Sequence, residues 1–320
     1  MKCKERNDIM KIEGIGINAD SGRIDGNFKI FEADLKFFQE VGFDYVEIPV
    51  HGLDLIMNGN LNTDQLKRVK NIIKNYKLKY TVHSPDRLNL MSAIENKKHK
   101  EALKSTIQFA GEIGSQVVVY HSSKVYFNID TLNNYYYSQY GYKYKEDIFY
   151  KLQEEEIITL QELADYAKKL GINIAIENNW VDDIAEEYTY GLYPQTLVEH
   201  VKRIDKENVG IIYDFGHGYI ASKKFDFDFL GAVKCVKPYL IHVHAHDNFG
   251  QTDRGEKNID RLPFGYGDLH MPIGWGEIPY NEIIKIIDNY SGVFMMELQP
   301  RFFPYYKEAL EIARYLVKIN

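Results

Sequence analysis

Six side chains that can bind a metal ion each follow or end a short apolar run of this chain. In order they are His83, His121, Glu177, Asp214, His244 and Glu297. A lone histidine or carboxylate at a strand end is commonly only a cap or a hydrogen-bonding group. In a closed parallel barrel, however, the carboxyl ends of all strands open onto one face, where catalytic residues collect. The succession of such residues therefore predicts a divalent-metal site.

Four of these residues form the core of the predicted site. Glu177, Asp214, His244 and Glu297 end four consecutive predicted strands and give an oxygen-rich ligand set with open positions for substrate. An ion held there acts as a Lewis acid and stabilises the enediolate that forms when a proton leaves the carbon next to a carbonyl. Glu177 and Glu297 flank the ion, so one can take the proton and the other can return it, an effect typically worth about 10²- to 10⁴-fold in rate. We therefore predict both glutamates to be catalytic residues as well as ligands.

Each of these residues also has a purely structural interpretation. Glu177 precedes two asparagines and Asp214 precedes a Phe-Gly pair, so each carboxylate could simply cap the loop that follows. Glu297 is harder to explain in this way, because it ends a strongly apolar run and a buried carboxylate without a partner is costly. Taken together, the four residues favour a metal site.

Histidines recur at every second position of the segment H-V-H-A-H-D-N. Because side chains alternate along a strand, His242, His244 and His246 lie on one face. Residues two apart on a strand are roughly 7 Å apart, so the three histidines do not share one ion. We take His244 as the ligand and His246 as a substrate-binding residue. His217, in D-F-G-H, could bind a second metal or a substrate oxygen, or could cap a helix.

The elements that must position these residues alternate between apolar runs and longer amphipathic stretches, which is typical of repeated βα units around a parallel sheet. Predicted strands cover residues 12–18, 45–50, 78–83, 117–121, 172–177, 209–214, 240–247 and 293–298. Predicted helices cover residues 31–41, 63–76, 99–113, 157–170, 194–204, 280–289 and 305–318. We therefore expect an α/β fold, a (β/α)₈ barrel, formed as a single domain by residues 1–320.

Two long connections interrupt this alternation after strands four and seven. The first covers residues 122–149 and is rich in tyrosine: Tyr126, Tyr135, Tyr136, Tyr137, Tyr140, Tyr142 and Tyr144. Loops of this length are usually functional or disordered, so a lid, a subunit contact in a homodimer and a loosely ordered excursion all stay open. The second connection covers residues 248–276 and carries a ligand-like pair, Asp268 and His270.

Composition narrows the class of protein and of partner. The chain has 320 residues, 45% of them hydrophobic, and a net charge of −7, which argues against a nucleic-acid partner. Its polar N-terminus and the lack of an apolar run of about 20 residues predict a soluble, cytoplasmic protein without a membrane segment. Cys3 and Cys235 are too few for a thiolate site. The ligands must then be histidine and carboxylate, which suit Mn, Co, Mg, Fe or Zn.

The motifs as a set resemble the xylose isomerase-like TIM barrel superfamily, which includes sugar and sugar-phosphate isomerases and epimerases and also endonuclease IV. The resemblance rests on H-S-P-D-R-L-N-L-M-S from His83, the strand end at Glu177, D-F-G-H, H-V-H-A-H-D-N, G-D-L-H-M-P-I-G-W-G from Gly267, and M-E-L at Glu297. It implies a (β/α)₈ barrel in which Glu177, Asp214, His244 and Glu297 bind the shared divalent ion and the two glutamates also transfer protons.

Endonuclease IV supplies the rival interpretation, a zinc phosphodiesterase that acts on abasic DNA. The resemblance implies that His83 and His121 match additional ligands around its first metal, and that His217, Asp268 and His270 match ligands of its third. Against this interpretation stand the acidic net charge and the scarcity of basic residues in the loops that would meet DNA.

We therefore expect a metal-dependent isomerase or epimerase whose substrate is a free or phosphorylated sugar or a related keto compound. His217 and Arg301 would orient substrate oxygens; Arg301 could meet a phosphate or carboxylate, or form an ordinary surface salt bridge. A substrate with a β-leaving group would make the enzyme a dehydratase. A non-catalytic sugar-binding barrel is a further alternative, which the intact ligand set argues against.

Overall fold

Eight parallel strands close into a barrel in the computed structural model, which describes residues 11–126, 138, 141, 145–181, 187–255 and 257–317. The strands are β1 (Gly14–Asn18), β2 (Tyr45–Pro49), β3 (Lys79–His83), β4 (Val117–His121), β5 (Asn173–Glu177), β6 (Val209–Asp214), β7 (Leu240–Ala245) and β8 (Val293–Met296). Each strand pairs with the next, and β1 pairs with β8 to close the ring. The predicted barrel and all of its predicted strands are confirmed.

Helices surround the barrel in the expected alternation. They are α1 (Phe28–Val41), α2 (Thr63–Ile73), α3 (Asn96–Ile113), α4 (Lys145–Lys169), α5 (Pro194–Ile204), α6 (Phe215–Phe225), α7 (Phe229–Val236), α8 (Tyr280–Ile286) and α9 (Tyr306–Val317). Short helical turns also occupy Ser21–Ile24, Val50–Leu53, Lys237–Tyr239, Asn258–Arg261, Leu262–Phe264 and Pro300–Tyr305. Among the helices described, none is both long enough and apolar enough to cross a bilayer.

Two features of the helices differ from the prediction. Helix α4 begins at Lys145 and not at residue 157, because Ile148 and Leu152 are buried at helical spacing and two acidic residues stand in its first turn. Helices α6 and α7 were not predicted. The first eight residues of α6, from Phe215 to Ser222, are all buried, so this segment lacks the polar face that marks an amphipathic helix.

The connection after β4 is described in part. Residues Lys124–Tyr126 form a two-stranded antiparallel sheet with Glu187–Thr189, outside the barrel. The remaining tyrosines of this connection, Tyr135, Tyr136, Tyr137, Tyr140, Tyr142 and Tyr144, lie outside the described residues. Its predicted roles as a lid or subunit contact stay predictions. A second small sheet, Ile56–Met57 with Asn60–Leu61, follows β2.

The barrel interior is apolar on one side and polar on the other. Val119, Ala175 and Ile212 pack together in a buried cluster, whereas Glu47 and His244 meet across the barrel although β2 and β7 are not neighbours. The asymmetry places hydrogen-bonding groups directly beneath the mouth of the barrel.

Two backbone features help to set the positions of the inward residues. A Cβ on Gly16 would lie 2.4 Å from the Met295 Cε atom, so the absence of a side chain there makes room for methionine. Between β6 and β7 the register shifts: Ile211 pairs with Leu240 and Ile212 with His242, which leaves Ile241 as an extra residue in β7.

Candidate metal centre and active site

A cavity of about 270 Å³ opens at the carboxyl ends of the strands, on the face where barrel enzymes place their catalytic residues. Its lining includes His83, His121, His217, Asp268, His270 and Glu297. A larger cavity, of about 1280 Å³, opens at the opposite end, beside the first residues of the strands. Barrels of this kind place their catalytic residues at the carboxyl ends of the strands, so we take the smaller cavity as the candidate site.

The four core residues predicted from the sequence converge beneath this cavity. Glu177 and Asp214 end β5 and β6, His244 lies in β7, and Glu297 follows β8. One side-chain N or O atom from each lies within 4.8 Å of the others. The Nδ1 atom of His244 is 3.1 Å from Glu177 Oε1 and 3.1 Å from Glu297 Oε2, and 3.8 Å from Asp214 Oδ2. The geometry fits a single cation held by three carboxylates and one imidazole.

His83 and His121 approach the second oxygen of the same glutamate from β3 and β4. Glu177 Oε2 lies 3.2 Å from His121 Nε2 and 3.5 Å from His83 Nε2. The Nδ1 atoms of the two histidines lie 2.7 Å and 3.1 Å from the backbone carbonyls of Ser84 and Asp86. An Nδ1–H that donates to a carbonyl leaves Nε2 as the atom that can coordinate, so His83, His121 and Glu177 would together offer ligands to a cation.

A third group of metal-competent residues adjoins the first. One atom from each of His217, His246, Asp268 and His270 lies within 4.8 Å of the others. Asp268 Oδ2 is 3.1 Å from His217 Nε2 and 2.5 Å from His270 Nε2. His246 Nε2 lies 3.4 Å from Asp268 Oδ1 and 3.1 Å from Asp214 Oδ2, and so links this group to the core ligands.

The local backbone is specialised at two of these positions. A Cβ on Gly216 would lie 2.0 Å from His246 Cε1, so only glycine lets the start of α6 approach that ring. His270 has a φ of 45°, in the left-handed region that few non-glycine residues adopt. Its carbonyl accepts a hydrogen bond from Gln299 N, and its Nδ1 lies 3.1 Å from the carbonyl of Glu297. These bonds hold the strained residue against the end of β8.

The carboxylates raise the proton affinity of the histidines around them. Burial by itself lowers the pKa of His83, but the close approach and charge of Glu177, whose Oε2 lies 3.5 Å from Nε2, help to raise it to about 10. Burial likewise opposes protonation of His217, and the charges of Asp214 and Asp268 raise its pKa to about 10. Without a cation, protons on these imidazoles balance the carboxylates.

The histidines have the reverse effect on the carboxylates. Burial by itself raises the pKa of Glu177, but the charges of His244 and His121 hold it well below its usual range. Burial also opposes ionisation of Glu297, and His244 lowers its pKa in the same way. The site therefore concentrates negative charge that positive charge must balance, whether from protons or from a metal ion.

The donor set fits a divalent cation. Glu177 Oε2 and Asp268 Oδ1 are buried and have no hydrogen-bond partner in the described part of the chain. Buried oxygens of this kind are costly unless something positive contacts them. Carboxylate oxygens with imidazole nitrogens suit Mg, Mn, Co, Fe or Zn, and the ligand types do not choose among them.

The cavity lining pairs carboxylates with histidines. Its carboxylates are Asp20, Glu47, Asp86, Asp268 and Glu297, its histidines are His51, His83, His121, His217 and His270, and over the described residues it includes neither lysine nor arginine. Lys124 Nζ lies 3.9 Å from the ring centroid of Trp180, which lines the cavity. Among the described lining residues, an anionic ligand therefore finds no permanently charged cation to offset the carboxylates.

The three predicted substrate-binding residues occupy different positions. His217 lines the cavity. His246 is fully buried and lies outside the lining, against Asp214. Arg301 is exposed in the turn Pro300–Tyr305 and also lies outside the lining. His217 is thus the one of the three that lines the cavity, and the substrate-binding role of all three stays a prediction. Asp214 in addition caps α6, since its Oδ1 accepts a hydrogen bond from His217 N at 2.8 Å.

Sequence reasoning does not identify several residues of the site. Glu47 lies in the middle of β2, where a carboxylate at an inward position of a buried strand is itself a signal that alternation could have revealed. His51 and Asp86, whose Nε2 and Oδ2 atoms are 3.3 Å apart, stand at the rim in loops with no metal-like spacing. Trp180 also lines the cavity, after β5.

Sequence comparison places the chain among known barrels. A family profile described as xylose isomerase-like TIM barrel matches residues 35–316. An uncharacterized protein of Methanocaldococcus jannaschii is 29% identical over 265 residues, which cover 81% of this chain and 75% of that protein.

Solved structures agree with this family. A D-tagatose 3-epimerase-like protein is 25% identical, with a TM-score of 0.69 and coverage of 95% of this chain and 97% of that one. A xylose isomerase-like TIM barrel protein of Mycobacterium smegmatis in complex with magnesium is 17% identical, with a TM-score of 0.66 and coverage of 95% and 96%, a likeness that shows the fold. Epimerases of D-psicose and L-ribulose share this fold too.

Proposed function

This chain belongs to the xylose isomerase-like TIM barrel family, and we propose that it is a divalent-metal-dependent epimerase or isomerase of a sugar. The observation that carries this proposal is the approach of Glu177 Oε1 and Glu297 Oε2 to the same atom, His244 Nδ1, each at 3.1 Å. Both carboxylates can therefore contact one ion. The similarity to a D-tagatose 3-epimerase-like protein supports the same reaction class.

The two glutamates carry the proton transfer. A divalent cation bound by Glu177, Asp214, His244 and Glu297 would supply Lewis acidity toward the carbonyl and neighbouring hydroxyl of the sugar. One glutamate, ionised, removes the proton from the carbon next to the carbonyl, and the bonding electrons move into the enediolate. The other glutamate, protonated when substrate is bound, returns a proton to that carbon from the opposite face or to its neighbour. The first outcome is epimerisation. The second, in which the hydroxyl proton also passes to the former carbonyl oxygen, is isomerisation.

Charge favours a free sugar over a sugar phosphate as the substrate. The described cavity lining holds carboxylates and histidines without lysine or arginine, whereas phosphate recognition usually depends on those cations. A neutral sugar instead needs hydrogen-bonding groups around its hydroxyls. His51, Asp86 and Gln299 at the rim provide donors and acceptors of that kind.

Deuterium exchange tests the proposal directly. Purified enzyme loaded with Mn²⁺ is incubated in D₂O with D-tagatose, other free ketohexoses and their phosphates, and products are analysed by NMR and mass spectrometry. We expect one deuterium on the carbon next to the carbonyl and a new epimer or isomer from a free sugar. Phosphates converted faster than free sugars would contradict the substrate assignment, and exchange in none of them would contradict the reaction class.

A zinc phosphodiesterase is the second candidate, and the three adjoining ligand groups favour it. Glu177 belongs to the first two groups, while His217, His246, Asp268 and His270 form the third. Elemental analysis of protein purified without chelator distinguishes the candidates. About one ion per chain supports the epimerase, whereas close to three zinc ions, with cleavage of abasic-site DNA, supports the phosphodiesterase.

A dehydratase differs from the epimerase in the substrate alone. The same glutamate would remove the same proton, and the enolate would then expel a β-hydroxyl, which leaves as water with a proton from the other glutamate. Loss of water from a sugar acid added to the panel would identify this reaction by mass. The predicted homodimer and the predicted cytoplasmic location stay predictions.

A further inference from the structure

Glu47 lies in the middle of the barrel interior, and the proton transfer described above does not use it. Its side chain, from β2, is buried beneath the metal-competent residues. Oε1 of Glu47 lies 2.8 Å from His244 Nε2. Oε2 accepts a hydrogen bond from Thr81 Oγ1 at 2.9 Å and lies 3.2 Å from His242 Nε2. The carboxylate is therefore held by three neighbours, one of which is a core ligand candidate.

These contacts fix which nitrogen of His244 carries a hydrogen. An ionised carboxylate only accepts hydrogen bonds, so His244 Nε2 must donate to Glu47. The free lone pair of a neutral His244 ring is then on Nδ1. That atom is the one that faces Glu177 Oε1 and Glu297 Oε2, each at 3.1 Å. A lone pair facing two carboxylates is unfavourable unless a cation lies between them.

We propose that Glu47 is a positioning residue that selects the tautomer and ring orientation of His244, so that Nδ1 is presented to the metal ion. The inference rests on the metal centre proposed above. Carboxylates that accept the second N–H of a metal-binding histidine fix its ring, and removing them typically lowers metal affinity about 10- to 100-fold.

Thr81 and His242 complete the arrangement by holding the other oxygen of Glu47. With Oε2 bound to Thr81 and facing His242, the carboxylate cannot rotate without losing both contacts. Oε1 is thereby kept on the His244 side. Thr81 contacts Glu47 and Glu47 contacts His244, so replacing Thr81 should also weaken metal binding, but less than replacing Glu47 does.

Metal titration tests the proposal. Mn²⁺ is added to apo wild type and to Glu47→Gln, and free Mn²⁺ is measured by electron paramagnetic resonance. Glutamine keeps the shape of the side chain but removes its charge and offers a single acceptor oxygen. We expect Glu47→Gln to bind Mn²⁺ about 10- to 100-fold more weakly. Glu156→Gln, a matched change at a buried glutamate outside the site, should bind as wild type does.

A second readout separates positioning from general destabilisation. Nitrogen-15 NMR of the histidine rings in the Zn²⁺-loaded protein should show a single Nε2–H tautomer for His244 in wild type and loss of that signature in Glu47→Gln. A merely structural role would instead lower the unfolding temperature of the apo protein and leave the tautomer unchanged. If Glu47→Gln does not fold, Thr81→Val replaces it, and an affinity loss of several-fold is expected.

The results of the metal titration distinguish failure of the proposed role of Glu47 from failure of the proposed metal centre. Wild-type binding of Mn²⁺ together with unchanged affinity in the folded variant overturns the role of Glu47 and leaves the metal centre intact. Failure of wild type to bind Mn²⁺, Zn²⁺ or Mg²⁺ overturns both. Weaker binding in Glu47→Gln with the tautomer lost, beside normal binding in Glu156→Gln, supports the positioning role.

Discussion

Glu177 and Glu156 are both buried glutamates, yet their surroundings shift their pKa values in opposite directions. Glu177 ends β5 among imidazoles, and the charge on His244 helps to hold its pKa well below the usual range despite burial. Glu156 lies on α4 and accepts hydrogen bonds from Tyr120 OH at 2.6 Å and Tyr190 OH at 3.2 Å. Burial raises the pKa of Glu156 to about 7, and its hydroxyl partners offset this only in part.

The difference shows that burial alone does not mark a functional carboxylate. His200 Nε2 lies 3.4 Å from Glu156 Oε2, but burial lowers the pKa of His200 to about 3, so that ring brings no positive charge. Glu156 therefore resembles a neutral hydrogen-bonding group that ties α4 to β4. Glu177 is kept as an anion by neighbours that a metal ion could replace.

The largest expected effect on catalytic rate comes from replacing each of the two glutamates, in turn, with glutamine. Glu177→Gln removes the base and a ligand, so the rate of epimerisation should fall by about 10²- to 10⁴-fold. Glu156→Gln should leave the rate close to that of wild type, because its side chain lies away from the cavity. Steady-state assays on the sugar identified by deuterium exchange measure both. Equal losses of rate in the two variants would contradict a catalytic role for Glu177 that Glu156 lacks.

Metal removal should destabilise the folded state through the site that contains Glu177, and not through Glu156. Free Mn²⁺ at about 1,000 times its Kd is expected to stabilise the protein by about 4 kcal/mol, because the ion binds the folded chain and not the unfolded one. Chemical unfolding with EDTA and with Mn²⁺ measures the difference. The stabilisation should shrink in Glu177→Gln and persist in Glu156→Gln. The same stabilisation in both variants would place the ion elsewhere.

The pH dependence of stability should carry the signature of Glu156. Its folded pKa of about 7 lies above the ordinary value of 4.5, so the folded state holds a proton that the unfolded chain releases. This contribution is fully present below about pH 4.5 and is lost as the pH rises through 7, with a total on the order of 3 kcal/mol. Comparing urea unfolding of wild type and Glu156→Gln from pH 5 to 8 measures it. The variant should lose this part of the slope; parallel curves would contradict the assignment.

The smallest effect is expected at Arg301. Its side chain is exposed and lies outside the cavity lining, so Arg301→Ala should leave KM for a free sugar nearly unchanged. A large increase in KM would restore the substrate role predicted from L-Q-P-R and would show that the loop closes over the substrate. His217→Ala, which alters a lining residue, serves as the positive control.

The strands, and the metal-competent residues at their ends, could be predicted because both follow from a pattern of neighbouring residues. Apolar runs that end in His or a carboxylate recur along the chain, and parallel strands bring those ends to one face. The inward position of Glu47 in a buried strand could be inferred from alternation, but its contact with His244 could not, since the two residues are distant in sequence. His51 and Asp86 are also distant from each other and show no local pattern. Helix α6 escaped prediction because its buried first turns, from Phe215, show no amphipathic period.

The extra residue at Ile241 separates the start of β7 from its histidines. Ile211 pairs with Leu240 and Ile212 with His242, so the bulge takes up one residue of length just before the histidines. A chain without Ile241 would close the bulge and keep His242 opposite Ile212 and His244 opposite Asp214. Removal of Val243 has no bulge to absorb it, so alternation would then turn one of the two histidines away from the barrel axis. Deletion of Ile241 should therefore leave metal binding largely intact, whereas deletion of Val243 should abolish it.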